Sequence, residues 1–150
     1  MAVTMQQVLA QIDKDEPDYA RAAKLGSAAL PHLRQIIEAE DPLLASKAAY
    51  LASLIGGADA IEVLDEAAKR REPEVRVAVA HALQNTSDAP PQLVERLLGD
   101  EDAGVRKLAL KTVGKLKLQT VQAKVATIAK RDSEDFVRDI AAETNRKLKS

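Results

Sequence analysis

"EPEVRVAVAHAL", residues 72–83, places an acid three residues before the pair Val75-Arg76 and follows that pair with small apolar residues. Related stretches occur twice more along the chain, "DAGVRKLALKTV" at residues 102–113 and "EDFVRDIAAETN" at residues 134–145. The first apolar residue of each motif serves as an anchor, and a weaker copy begins at Leu44. The anchors Leu44, Val75, Val105 and Val137 lie 31, 30 and 32 residues apart. A fixed period of this length predicts an array of structural repeats.

Each motif has the pattern of one helix. Apolar or small residues stand at the anchor and four, seven and eight residues after it, except Asn145 in the last motif, and this spacing places them on one helical face. An acid comes three residues before each anchor and marks the helix start, as Asp41-Pro42 does most clearly. These acids are Asp41, Glu72, Asp102 and Glu134. An arginine directly follows three of the anchors, as Arg76, Arg106 and Arg138, whereas Ala45 follows the anchor Leu44. Acid and arginine are four residues apart, which favours an ion pair worth about 0.2–0.5 kcal/mol.

A second set of helices precedes the motif helices. Their apolar stripes are Leu30, Leu33, Ile36 and Ile37; Ile61, Leu64, Ala67 and Ala68; Val94, Leu97 and Leu98; and Val121, Val125, Ile128 and Ala129. Each repeat is therefore predicted to be a helical hairpin, with breaks at "IGGAD" and "NTSDAPP". The third break, near Lys117 to Thr120, lacks such residues, and a helix that continues through it is an open alternative.

These patterns predict an all-α solenoid of about four hairpins. The expected organisation is a single domain over residues 1–150. It has an N-terminal cap of two short helices at 1–25 and repeats at 26–55, 57–86, 89–117 and 119–148. The last helix, which ends in a basic tail, is expected to cap the other end of the array.

Composition excludes several classes of protein. The chain has no cysteine, so it has no disulfide framework, no thiolate metal site and no cysteine nucleophile. Its first residues lack the basic and apolar regions typical of a secretory leader, it has no run of 18 apolar residues, and we expect a cytoplasmic protein. The net charge of -1 provides no general attraction to nucleic acid or to a membrane.

The acid, the Val-Arg pair and the small residues that follow resemble the HEAT repeat. The period near 31 is most similar to the short HEAT-like repeats of phycobilisome lyases and many bacterial proteins. The resemblance covers about residues 26–148. It implies a right-handed superhelix whose second helices line the concave face. It also implies a ladder of aligned side chains between neighbouring repeats, formed by Glu72, Arg76, Asp102, Arg106, Glu134 and Arg138.

Positions two, six and ten after each anchor are predicted to face outward and to form a binding surface. They are Ser46, Tyr50 and Leu54; Val77, His81 and Asn85; Lys107, Lys111 and Lys115; and Asp139, Glu143 and Lys147. Tyr50 and His81 occupy equivalent positions and are expected to be neighbours. We call Lys107, Lys111 and Lys115 the lysine row. Residues 101–150 carry 12 Lys/Arg and 7 Asp/Glu, a net +5, whereas residues 1–100 carry 10 and 16, a net -6. An acidic partner therefore fits the C-terminal third, although a plain solvated surface is also compatible with it.

The function predicted from these features is a non-catalytic scaffold or adaptor, a monomer that binds a protein partner through Tyr50, His81 and the lysine row. No motif for a metal, a cofactor or catalysis is present, and His32 is interpreted as structural. One alternative is phosphate-backbone binding to nucleic acid through Lys107, Lys111, Lys115, Lys124, Lys130 and Arg131, which is disfavoured by the scarcity of aromatic residues. Another, implied only by the resemblance, is a chromophore-handling role like that of a phycobilin lyase.

Overall fold

The computed structural model describes residues 2–150, which form ten α-helices and a few single turns of 3₁₀ helix. The α-helices are α1 Met5–Ile12, α2 Tyr19–Ala22, α3 Leu30–Glu38, α4 Pro42–Ile55, α5 Ala58–Ala67, α6 Pro73–Ala82, α7 Pro91–Leu98, α8 Ala103–Leu116, α9 Gln122–Arg131 and α10 Asp135–Lys149. None of these helices combines the length and the apolar character needed to cross a bilayer. The prediction of an all-α solenoid fold is confirmed.

The chain divides into two compact units, with the boundary between Thr86 and Ser87. In the first unit, α3 and α4 form one helix pair and α5 and α6 the next. First helices pack on each other, as α3 does on α5, and second helices do the same, as α4 does on α6. The second unit repeats this arrangement, since α7 packs on α9 and α8 on α10. Packing of like helices on like is the stacking expected of a repeat protein.

Local sequence explains where the helices start and end. Asp41 caps α4 by accepting hydrogen bonds from the backbone N–H groups of Leu43 and Leu44, and Asp102 caps α8 in the same way through Val105. Prolines occupy the first turns of α4, α6 and α7, where a missing N–H costs nothing. Helix α4 ends at Gly56, whose φ of 78° is a left-handed conformation that glycine adopts without strain.

The core consists of small aliphatic side chains. The anchors Val75, Val105 and Val137 are completely buried, and each contributes about 1.5–3 kcal/mol of transfer free energy. The anchor Leu44 differs from the other three, because it is half-buried while the next residue, Ala45, is fully buried. The stripe on α5 differs in part from the predicted one, because Leu64 and Ala67 are buried as expected whereas Ile61 and Ala68 are only half-buried. Its buried members are Ala60, Val63, Leu64 and Ala67.

The third break falls at Lys117, which ends α8 in the left-handed conformation with φ 54° and ψ 55°. The alternative of a continuous helix through Thr120 is therefore wrong. The N-terminal segment forms two short helices, as predicted, and α1 begins with a capping box between Thr4 and Gln7. Each predicted repeat range holds one helix pair. The exact limits of the cap and the repeats, and the assignment of the chain to one domain, stay predictions.

Candidate functional site

A row of three rings lies on the first unit and comes from three different helices. Tyr50 of α4 is flanked by Tyr19 of α2, with ring centroids 4.8 Å apart in an edge-to-face arrangement. On its other side lies His81 of α6, whose ring is 6.1 Å away and nearly parallel. We call Tyr19, Tyr50 and His81 the aromatic row. The two tyrosines are half-buried and the histidine is exposed, so the row presents both apolar area and polar edges to solvent.

Polar contacts beside the row hold its helices in register. The amide of Asn85 donates a 3.0 Å hydrogen bond to the hydroxyl of Ser53, and that hydroxyl donates to the carbonyl of Tyr50 at 2.6 Å. Burial, and then the neighbouring Tyr50, raises the pKa of the Tyr19 phenol above its ordinary value. Tyr19 therefore stays a neutral hydrogen-bonding group at physiological pH. The Tyr50 and His81 positions come together as predicted, whereas sequence reasoning did not identify Tyr19 or the role of Ser53.

The lysine row lies on α8 of the second unit. Lys111 and Lys115 are exposed and Lys107 is half-buried, so all three positions reach solvent. The equivalent positions of α10 are Asp139, Glu143 and Lys147, which are likewise exposed. The outward-facing positions predicted from the spacing are thus accessible. Their role in binding stays a prediction.

The motif arginines bind backbone carbonyls of the turn that follows the first helix of their own hairpin. In each case one guanidinium nitrogen donates to carbonyl oxygens five or six residues earlier in the chain. The acceptors are Arg70 and Arg71 for Arg76, Asp100 and Glu101 for Arg106, and Asp132 for Arg138. These bonds satisfy carbonyls that the helix end leaves without a helical partner, and they fix the angle between the two helices of a hairpin.

The acidic partners of Arg106 and Arg138 differ from the predicted ones. Arg106 forms a two-point ion pair with Asp132, with Nε–Oδ2 at 2.7 Å and Nη2–Oδ1 at 2.9 Å, and this pair connects successive hairpins. Arg138 pairs with Asp135. Of the predicted ladder acids, Asp102 caps α8, while Glu134 is exposed at the start of α10 and makes no side-chain capping bond.

Glu72, the remaining ladder acid, belongs to a clamp between the first two hairpins. Its carboxylate accepts two hydrogen bonds from Arg70, at 2.9 and 2.7 Å. The same guanidinium donates to the carbonyls of Ile37 and Ala39 in the preceding hairpin. The hydrogen bonds from Arg70, together with the backbone N–H of Glu72 itself, lower the pKa of the Glu72 carboxyl to about 2. The clamp therefore carries both of its charges at physiological pH.

The remaining polar features have structural roles. His32 of α3 donates from Nε2 to the carbonyl of Val3 at 2.7 Å and so ties the N-terminal segment to the first hairpin. An open groove of about 690 Å³ in the first unit is lined by Glu38 to Glu40 and Lys69 to Glu72, and no residue of the aromatic row lines it. Within residues 2–150, no three His, Asp or Glu side chains converge as metal ligands would.

Comparison with known proteins places this geometry in context. A family model described as HEAT repeats matches residues 69–144. A chain in the complex of CpcE and CpcF of phycocyanin lyase from Nostoc sp. PCC7120 has a similar structure, with a TM-score of 0.73 over 93% of this chain and 96% of that chain. The two sequences are 21% identical, so the similarity concerns the fold alone. No curated protein sequence matches the chain.

Proposed function

The chain belongs to the HEAT-repeat family, and from this premise we propose that it is a non-catalytic interaction module that binds a protein partner. The observation that carries the proposal is the aromatic row. Tyrosine is enriched at interface hot spots because it provides a large contact area and one polar group at a low cost in side-chain entropy. A row of such rings on the second-helix surface gives a partner several adjacent anchoring points.

Preorganisation is the mechanism by which this surface would bind. The rings contact one another, and the helices beneath them are joined by the bond between Asn85 and Ser53. Side chains already held in one conformation lose less entropy on binding than mobile ones, a saving of about 0.5–1.5 kcal/mol for each rotamer-rich side chain. The structurally similar lyase chain was solved in a complex of two different proteins, which is compatible with a protein partner here.

Affinity capture with matched variants tests the proposal. We expect the wild-type protein to recover a partner from cells of its own source, and the variants Tyr50→Ala and His81→Ala to lose at least tenfold of it. Phe136→Ala is the control, because it removes an aromatic ring that is 44% exposed but lies outside the row. Circular dichroism verifies that each variant remains helical. A set of captured proteins that is the same for all variants would contradict the proposal.

A second candidate function is the handling of a bilin chromophore. It is favoured by the fold similarity to a chain of phycocyanin lyase, and the flat rings of Tyr50 and His81 are suited to contact with a planar tetrapyrrole. Co-production with a bilin tests it. A purified wild-type protein with visible absorbance, together with a colourless Tyr50→Ala variant, would favour this role over the scaffold. Colourless wild-type protein would eliminate it.

A further inference from the structure

The lysine row places three like charges on one face of α8. Lys107, Lys111 and Lys115 follow one another at four-residue spacing on α8, where like charges repel by a few tenths of a kcal/mol per pair. Within residues 87–150, no described hydrogen bond or ion pair engages their ammonium groups. By contrast, Arg106 on the same helix donates hydrogen bonds to Asp132 and to two backbone carbonyls. Within this unit the lysines therefore lower stability slightly, because they repel one another and no described ion pair offsets that repulsion.

Helix α10 limits the width of this basic surface. The hydroxyl of Thr144 donates to the carbonyl of Leu110 at 3.2 Å, and the Lys147 side chain passes 3.3 Å from the position that a Cβ on Gly114 would occupy. Helix α10 therefore packs alongside α8, and its exposed side chains include Asp139, Glu143 and Lys147. Glu143 is already paired with Arg146.

We propose that the lysine row, extended at its end by Lys147, binds an acidic segment of a protein partner. Four residues of helix rise by about 6 Å, so the row presents positive charges at about 6 Å intervals. Glutamates at every fourth position of a partner helix have the same spacing, and alternate residues of an extended chain are about 6.6 Å apart. A carboxylate of the partner can thus meet each ammonium group in turn.

The acids on α10 favour a protein segment over a nucleic-acid duplex. A duplex presents phosphates on both strands over a wide surface, and phosphates beside Asp139 and Glu143 would be repelled. A single acidic chain fits a strip one helix wide without meeting these carboxylates. The inference rests on the proposed function as an interaction module, but it concerns the second unit and does not involve the aromatic row.

Fluorescence anisotropy provides the test, with labelled poly-glutamate and a labelled DNA duplex as probes. At low ionic strength we expect poly-glutamate to bind the wild-type protein more tightly than the duplex does, with an affinity that falls as salt is added. The triple variant Lys107→Glu, Lys111→Glu and Lys115→Glu should weaken binding at least tenfold, whereas arginine at the same three positions should retain it.

The matched control carries the same change in charge on another helix of the same unit, in the variant Lys124→Glu, Lys130→Glu and Arg131→Glu. We expect it to weaken poly-glutamate binding less than threefold. The inference would be overturned by equal losses in both triple variants, by no binding to the wild type, or by tighter binding of the duplex. If the triple row variant unfolds, the single exposed change Lys111→Glu replaces it, with an expected loss of about threefold.

The aromatic-row variants separate this inference from the proposed function. Tyr50→Ala and His81→Ala should bind poly-glutamate as the wild type does, because both residues belong to the first unit. If affinity capture fails but poly-glutamate still binds, the result counts against the aromatic row alone. If capture succeeds and depends on the rings but poly-glutamate does not bind, the result counts against the lysine row alone.

Discussion

Replacement of Asp132 by asparagine should destabilise the protein by about 2–3 kcal/mol. The Asp132 and Arg106 side chains are only 6% and 12% exposed, and the carboxylate accepts two bonds from the guanidinium. Each hydrogen bond to a charged group contributes about 1.5–3 kcal/mol. Asparagine keeps one acceptor oxygen but loses the second bond and the negative charge that is hydrogen-bonded to Arg106. For a chain of this length the loss corresponds to a decrease in Tm of about 4–12 °C.

The effect should depend on pH. Burial alone would raise the pKa of the Asp132 carboxyl. The pKa is nevertheless lowered, because the carboxylate accepts hydrogen bonds from Arg106 and from the Glu134 N–H and lies near the charges of Arg106 and Arg138. When the pKa of a carboxyl is lower in the folded protein than in the unfolded chain, the carboxyl stabilises the fold at any pH above its unfolded-state pKa. This contribution is lost as the pH falls through its folded-state pKa. Asp132→Asn should therefore cost most at neutral pH and progressively less below about pH 4.

Urea denaturation followed by circular dichroism measures this difference, and a double-mutant cycle with Arg106→Ala isolates the coupling between the two side chains. Glu143→Gln is the control, because Glu143 and Arg146 form an ion pair whose side chains are 53% and 69% exposed. Its removal should leave the denaturation curve unchanged. A coupling between Arg106 and Asp132 no larger than that of the exposed pair would refute the reasoning, and so would a loss that does not vary with pH.

Three further predictions concern the turns. Gly56→Ala should cost about 1–2 kcal/mol in thermal denaturation, because its φ of 78° is left-handed while nothing lies within 4 Å of a new Cβ. Gly99→Ala, at a φ of -100°, should be near neutral, and equal costs at the two sites would contradict the assignment to backbone strain. Lys117→Gly should stabilise by about 0.5–1 kcal/mol, since it relieves a left-handed lysine. An NMR titration should place the Glu72 pKa near 2 and, in an Arg70→Ala variant, move it toward the ordinary 4.5. A wild-type midpoint near 4.5 would show that the Arg70 clamp does not form.

The apolar period predicts the fold because it reports a burial pattern that every repeat must satisfy. Val75, Val105 and Val137 recur at the same helical position and are completely buried for that reason. The apolar period does not predict where α8 ends. Lysine has no preference for the left-handed conformation that Lys117 adopts, so the residue type gives no signal of a break.

The sequence predicts the part of the candidate site whose residues occupy equivalent repeat positions. It does not predict the part that comes from segments outside the repeats. Tyr50 and His81 share a repeat position, so their proximity follows from the period alone. Tyr19 belongs to the N-terminal helix pair, which has no counterpart in the repeats, and only tertiary packing brings it to Tyr50. The arginine partners were missed for a different reason. Backbone carbonyls exist at every position, so no sequence pattern indicates which of them accept a hydrogen bond from Arg76 or Arg106.

The aromatic row also determines how the protein emits light. The chain has no tryptophan and two tyrosines, and both of them belong to the row. Its intrinsic ultraviolet fluorescence therefore originates almost entirely from the proposed binding surface. An occupant that covers Tyr50 alters the emission directly, so titration of the unlabelled protein in a fluorimeter reports on occupancy of this surface.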